Sequence, residues 1–93
     1  KKEELPDDFE LFQNYPNPFN PVTMIRFNLP FETHVKLDVF DVQGRLIETV
    51  VNRNLGAGFH GYEWKADNVA SGIYFYRLQT PKFSRTMKMI LLR

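Results

Sequence analysis

The 93-residue chain contains no cysteine, which excludes disulfides, thiolate metal sites and cysteine nucleophiles together and leaves stability to packing alone. It has no apolar run approaching the ~18 residues that span a bilayer as a helix. Its start lacks the basic-then-apolar pattern of a secretory signal, so any export depends on another segment or another mechanism. Acids are missing locally: none follows Asp67, whereas Arg77, Lys82, Arg85, Lys88 and Arg93 do. Five of the eleven acids lie before Leu11, so a formal net charge of +1 conceals an acidic start and a basic last third. That basic field suits either partner docking or a solvated edge hairpin, since cationic side chains discourage edge-to-edge pairing. With charge near balance and no recognition-helix or single-strand-binding motif, nucleic acid is not an expected partner.

The chain does have strand signals. At this size it forms one domain that buries roughly 60–68% of its unfolded surface. Residues 1–10, charged on both sides of Pro6 and poor in apolar side chains, read as a linker from an upstream region, with the domain over 11–93. A short strand over Glu10–Asn14 runs into Tyr15-Pro16-Asn17-Pro18-Phe19-Asn20-Pro21, where proline forbids helix and makes a rigid crossing, with Tyr15 and Phe19 as core plugs. Thr23–Leu29 alternates, with Ile25, Phe27 and Leu29 inward. Val35–Phe40 alternates too, and Asp41-Val42-Gln43-Gly44 supplies a turn whose glycine takes a positive φ. Leu46–Val51 returns as a hairpin, its adjacent apolar pairs predicting a bulge or burial on both faces. A loop over Asn52–Gly58 follows, then a strand from Phe59 to Lys65 with His60, Tyr62 and Trp64 on one face.

The strongest strand signal is Ser71–Leu78. Tyr74, Tyr76 and Leu78 share its inner face, while Ile73, Phe75 and Arg77 take the wetter one. Gly72 two residues before Tyr74 matches a tyrosine corner, in which a buried hydroxyl ties back to upstream backbone. A turn over Thr80-Pro81-Lys82-Phe83 leads to a last strand over Arg85–Leu92. These elements predict an all-β, immunoglobulin-like antiparallel β-sandwich of about seven strands.

Catalytic and metal constellations are weak. His60, Asp67 and Ser71 lack a nucleophile-elbow signature and read as turn and core residues. Asp38, Asp41, Asp67 and Asn68 lie in separate turns without the spacing of a calcium loop. Two distant histidines without cysteine do not make a zinc site. No cofactor, metal site or catalytic residue is expected. Phe59, Tyr62 and Trp64 would suit a sugar-stacking surface, but the strand period assigns Tyr62 and Trp64 to the core.

Four pieces together resemble a known family: Tyr15-Pro16-Asn17-Pro18-Phe19-Asn20-Pro21 with Thr23; Val35-x-Leu37-x-Val39-Phe40-Asp41-x-x-Gly44-Arg45 with Ile47; Gly58-x-His60 leading to Trp64; and Ser71–Leu78 followed by Thr86-x-Lys88-Met89-x-Leu91-Leu92. Over nearly the whole chain from Leu11 onward, they are similar to the type A C-terminal sorting domain of the type IX secretion system, a relative of the immunoglobulin-like domain of flagellar hook-capping proteins. The resemblance implies a non-catalytic address label for an upstream cargo in the same chain. The cargo passes through the periplasm, an outer-membrane translocon reads the domain, and the cargo reaches the cell surface or medium. A sortase-like protease that cuts in the linker is an implied second partner. The recognition residues it implies are Pro16 and Pro18, Gly44, Gly72 with Tyr74, and Lys88 with Arg93; family members commonly end in lysine where Arg93 stands here. The alternatives are a structural immunoglobulin-like spacer and a carbohydrate-binding module.

Overall fold

Apolar side chains two residues apart recur along nearly every run of the chain, and each such run becomes a strand with one face turned inward. The computed structural model describes residues 4–93, so the first three residues of the linker expected over 1–10 lie outside the described residues. Seven strands follow in order: β1 (Glu10–Leu11), β2 (Val22–Leu29), β3 (Thr33–Phe40), β4 (Leu46–Leu55), β5 (Gly58–Lys65), β6 (Gly72–Thr80) and β7 (Phe83–Leu91). They form a three-stranded sheet, β1-β2-β5, and a four-stranded sheet, β4-β3-β6-β7. All the strand pairings are antiparallel. The chain is thus an all-β, immunoglobulin-like sandwich, with no helix among the described residues.

The expected alternations set the core. Ile25, Phe27 and Leu29 of β2 meet Val35, Leu37 and Val39 of β3 and Tyr74, Tyr76 and Leu78 of β6, all buried. Each such apolar side chain, once buried, favours the folded state by about 1.5–3 kcal/mol. Trp64 is buried as well, and its indole N–H donates to Glu48 Oε1 at 2.9 Å, linking the two sheets.

Four details differ from the sequence reading or resolve it. β1 ends at Leu11 rather than Asn14: Phe12 N–H still donates to Arg26 O at 3.1 Å, but Gln13 and Asn14 leave the β2 ladder, which resumes as a single bridge between Tyr15 and Met24. Tyr15 is 72% exposed, so of the two expected plugs only Phe19, at 2%, enters the core. Residues directly opposite in an antiparallel pair share a face, and Met24 occupies an outward position of β2. The loop expected over Asn52–Gly58 shrinks to Gly56 and Ala57, because β4 continues to Leu55. Its polar letters hide an inward position at Arg53, whose guanidinium donates to Tyr62 Oη at 3.3 Å. The adjacent apolar pairs of β4 do mark bulges: pairing steps from Leu37↔Val51 to Asp38↔Thr49, and from Val39↔Glu48 to Phe40↔Leu46, which leaves Val50 and Ile47 as the extra residues.

The outer face of the four-stranded sheet holds a buried charge that alternation did not foretell. Asp38 points away from the core yet is 2% exposed. Lys36 Nζ and Arg77 Nη2 each lie 3.7 Å from its carboxylate, and Thr49 Oγ1 donates to it at 2.7 Å. Arg77 also covers the Phe40 ring, 4.8 Å from its centroid. The side chains of β3, β4 and β6 are therefore tied across this face by one carboxylate. Replacing Asp38 by alanine leaves Thr49 and Arg77 without their partner and is expected to cost about 1–3 kcal/mol. An asparagine at this position would keep an acceptor for Thr49, so Asp38→Asn should melt between the wild type and Asp38→Ala; equal melting temperatures for all three would remove the network from the stability of the fold.

Candidate functional site

Strand direction sorts the connections to two ends of the sandwich. At one end lie the crossing from Tyr15 to Pro21, the β3–β4 turn, the β5–β6 connection and Arg93. At the other lie the β2–β3 connection, Gly56-Ala57 and the Pro81-Lys82 turn. Phe9 belongs to this second end, its ring stacked on Phe83 at 5.2 Å and edge-on to Phe31 at 5.3 Å.

The first end is built around a backbone that cannot form a regular ladder. Proline supplies no N–H, and Pro16, Pro18 and Pro21 fall within this one short crossing. Side chains beside the prolines supply the missing partners. Asn14 Nδ2 donates to Thr23 Oγ1 at 2.9 Å and to Pro16 O at 3.2 Å, while Thr23 Oγ1 donates to Pro16 O at 2.9 Å. Gln13 Nε2 donates to Lys88 O at 2.7 Å, and Ile90 N–H donates to Asn17 Oδ1 at 2.9 Å. Phe19 then runs parallel to β7: its N–H donates to Ile90 O and its carbonyl accepts from Leu92 N–H, both at 3.0 Å. The crossing thereby seals the upper edge of β7.

Tyr76 joins this crossing to the core. Its side chain is fully buried, and its hydroxyl accepts from Asn14 N–H at 2.8 Å while donating to Phe12 O at 2.7 Å. Burial pushes the phenol pKa up from 10.0 to about 12, against the opposing pull of the Asn14 N–H and the charge of Arg85. The protonated form is the one that can donate to Phe12.

All seven residues expected to mediate recognition lie at this end or on the strand leading to it. Pro16 and Pro18 are exposed on the crossing. Gly72 has φ +151°, and Tyr74 Oη donates to Ala70 O at 2.7 Å, forming the tyrosine corner. Lys88 is exposed on β7 beside Phe75. Arg93 N–H donates to Ser71 Oγ at 2.9 Å, and its guanidinium donates to Val69 O at 2.8 Å and to Ala66 O. It is thus a clamp on the β5–β6 connection as well as a surface charge. Gly44 lies in the β3–β4 turn of the same end, with φ +82° and its N–H donating to Asp41 O at 3.0 Å. The Asp41 carboxylate accepts from the N–H groups of Arg45 and Gln43 and from Arg45 Nε; the Arg45 N–H is the main reason its pKa lies below the usual range. An open groove of about 280 Å³ links this turn to Phe40, Phe75, Arg77 and Thr86.

Other candidate constellations do not converge. His60 donates through Nε2 to Gly56 O at 2.8 Å, whereas Ser71 is at the Arg93 end as an acceptor. Asp38 and Asp41 are each held by cationic partners on different elements. Trp64 is in the core, Tyr62 is half-buried, and Phe59 is open on the opposite face of β5, so the three aromatics make no shared platform. The residues that sequence reasoning missed are Gln13, Asn14 and Asn17. Their one signal was amide side chains placed where proline removes donors.

The family model described as "Secretion system C-terminal sorting domain" matches residues 13–92. No curated protein matches the chain. Among solved structures, the chain resembles part of PorZ of Porphyromonas gingivalis, described as an essential bacterial surface component of the type IX secretion system, with TM-score 0.60 and 23% identity over 89% of this chain and 11% of that one. It also resembles part of dimeric latent PorU from the same organism, with TM-score 0.69 and 18% identity over 90% of this chain and 9% of that one. At these identities the likeness is one of fold, and the chain spans about a tenth of the length of either protein.

Tyr76→Phe keeps the ring and removes the hydroxyl, leaving Asn14 N–H and Phe12 O unpaired; urea unfolding should show a loss of about 1–3 kcal/mol. A raised phenol pKa means that the folded state holds its proton more tightly than the unfolded state. Its contribution is therefore complete below pH 10.0 and lost as pH rises toward about 12. That decline should be smaller in Tyr76→Phe, and equal alkaline slopes would show that the hydroxyl does not carry it.

Proposed function

Because the chain belongs to the family of secretion system C-terminal sorting domains, we propose that it is the address label of a longer exported protein, read at the outer membrane by the translocon of the type IX secretion system. The family match across residues 13–92 carries this reading. The two ends of the sandwich support a division of labour. Phe9, just ahead of β1, packs on Phe31 and Phe83 at the end opposite the crossing, in a molecule 45 Å in its longest dimension. An upstream cargo attached through a linker at 1–10 would leave the crossing, Gly44, Gly72 and Arg93 free for the translocon. Pro16, Pro18, Gly44, Gly72, Tyr74, Lys88 and Arg93 are the proposed recognition set. Pro16, Pro18 and Lys88 would act by contact, and Tyr74 and Arg93 by holding that surface in shape.

In the full proposal the domain is non-catalytic. The cargo transits the periplasm, a sortase-like protease cuts within the linker, and the cargo is anchored at the surface or released. A relation to hook-capping immunoglobulin-like domains would give the same sandwich a structural use, and export separates the two readings. A reporter with an N-terminal periplasmic signal and residues 1–93 at its C-terminus should reach the surface or medium only in a host with a working type IX translocon. Periplasmic retention of the folded reporter, in a host that exports an established sorting domain, would favour the structural module. Reversal of Lys82, Arg85 and Lys88 to glutamate should lower export without unfolding the domain; Arg93 is left out because its guanidinium clamps Val69 and Ala66. Full export of the folded triple variant would remove the basic strand from the mechanism.

A further inference from the structure

The edge strand β7 is covered along only half its length. Its ladder with β6 runs unbroken from Phe83 to Leu91, so alternate residues turn their main-chain groups outward. Toward Arg93 the crossing occupies those groups: Lys88 O, Ile90 N–H, Ile90 O and Leu92 N–H all have partners from Gln13, Asn17 or Phe19. Toward Phe83, the N–H and C=O groups of Ser84 and Thr86 and the N–H of Lys88 have no protein partner among the described residues. The other edge of this sheet, β4, is interrupted by bulges at Val50 and Ile47, which spoil a template for pairing. β7 has none.

We infer that the open stretch Ser84–Lys88 is a docking edge that receives an extended segment of a partner protein bearing aspartate or glutamate, which continues the row begun by Phe19. This deepens the sorting reading and rests on it for the partner's identity as part of the secretion machinery. The charges select the occupant. Lys82, Arg85 and Lys88 are exposed along the edge, and no acid follows Asp67 in the chain. A second copy pairing through the same edge would bring two sets of Lys82, Arg85 and Lys88 alongside each other with no acid between them, and like charges across a strand pair destabilise it. An acidic strand gains main-chain hydrogen bonds and ion pairs together, the usual division between affinity and selectivity in strand addition. The segment needed is short, since five residues at about 3.3 Å each cover the open stretch.

The edge is tested first on the 93-residue chain with a synthetic eight-residue peptide in which valines are interspersed with aspartate or glutamate on both faces, to meet Arg85 on one and Lys88 on the other, and with its lysine counterpart as control. Amide exchange followed by NMR should slow at Ser84, Thr86 and Lys88 with the acidic peptide only. Thr86→Pro removes an outward N–H without touching the β6 ladder, and should weaken the acidic peptide roughly tenfold. If that variant unfolds, the Arg85→Glu, Lys88→Glu pair serves instead and should abolish the acidic preference. No slowing at the three amides, equal slowing by the lysine peptide, or protection that grows with protein concentration alone overturns the proposal. In the export assay, normal export of a folded Thr86→Pro reporter beside an exported wild type overturns this edge as the docking site while the sorting function stands. A wild-type reporter that stays in the periplasm while the acidic peptide still protects β7 overturns the sorting function and supports the edge.

Discussion

The two hydrogen bonds of the Tyr76 hydroxyl hold the rest of the structure in place. Phe12 and Asn14 sit between β1 of one sheet and the crossing that reaches β7 of the other, and this phenol supplies a partner to both. Without it, a buried donor and a buried acceptor would face an apolar interior that offers nothing in exchange. Its raised pKa is the same fact seen from the proton's side, because burial favours the neutral form that donates. Anchoring the crossing there lets Phe19 enter the core against Trp64, at 5.8 Å between ring centroids, and lets its main chain pair with β7.

The crossing closes the sandwich on one side, and the short Gly56-Ala57 link between β4 and β5 closes it on the other. The two sheets are further joined by Trp64 to Glu48 and by Arg53 to Tyr62. A cysteine-free domain of this size thus replaces a disulfide with side-chain hydrogen bonds placed where the sheets' edges meet. It also carries a lid on its outer face, where Asp38 gathers Lys36, Thr49 and Arg77. The charged face is in this respect a second packing layer as well as a solvated surface.

Strand alternation made most of the fold legible. Ile25-Phe27-Leu29 and Tyr74-Tyr76-Leu78 announce their inner faces because a period of two has no other use in a sandwich. Gly72 ahead of Tyr74 likewise announced the hydroxyl bond to Ala70. What could not be read depended on partners distant in sequence. Tyr15 and Phe19 look alike as letters, and only the bridge to Met24 turns one outward while pairing with Leu91 seats the other. Asn52-Arg53-Asn54 looked like loop because the inward position is filled by an arginine that satisfies itself on Tyr62. Asp38 read as one of several turn acids but lies within β3, and its burial was hidden because its cations come from a strand nearly forty residues later as well as from its own.

The motif residues at the Arg93 end differ in how far their polar groups are committed to the fold. Tyr74 spends its hydroxyl on Ala70, Asn17 its carbonyl on Ile90, and Arg93 its guanidinium on Val69 and Ala66. A partner cannot use those groups without first breaking bonds that hold the surface together. The rings of Pro16 and Pro18 and the ammonium of Lys88 carry no such commitment and face solvent, although Pro16 gives its carbonyl to Asn14 and Thr23. The family pattern thus includes both residues that fix the shape of a surface and residues whose exposed groups are left uncommitted on it. Because main-chain and inward bonds set that shape, the rest of the sequence is free to change, and this chain shares a fold with a structure 18% identical to it.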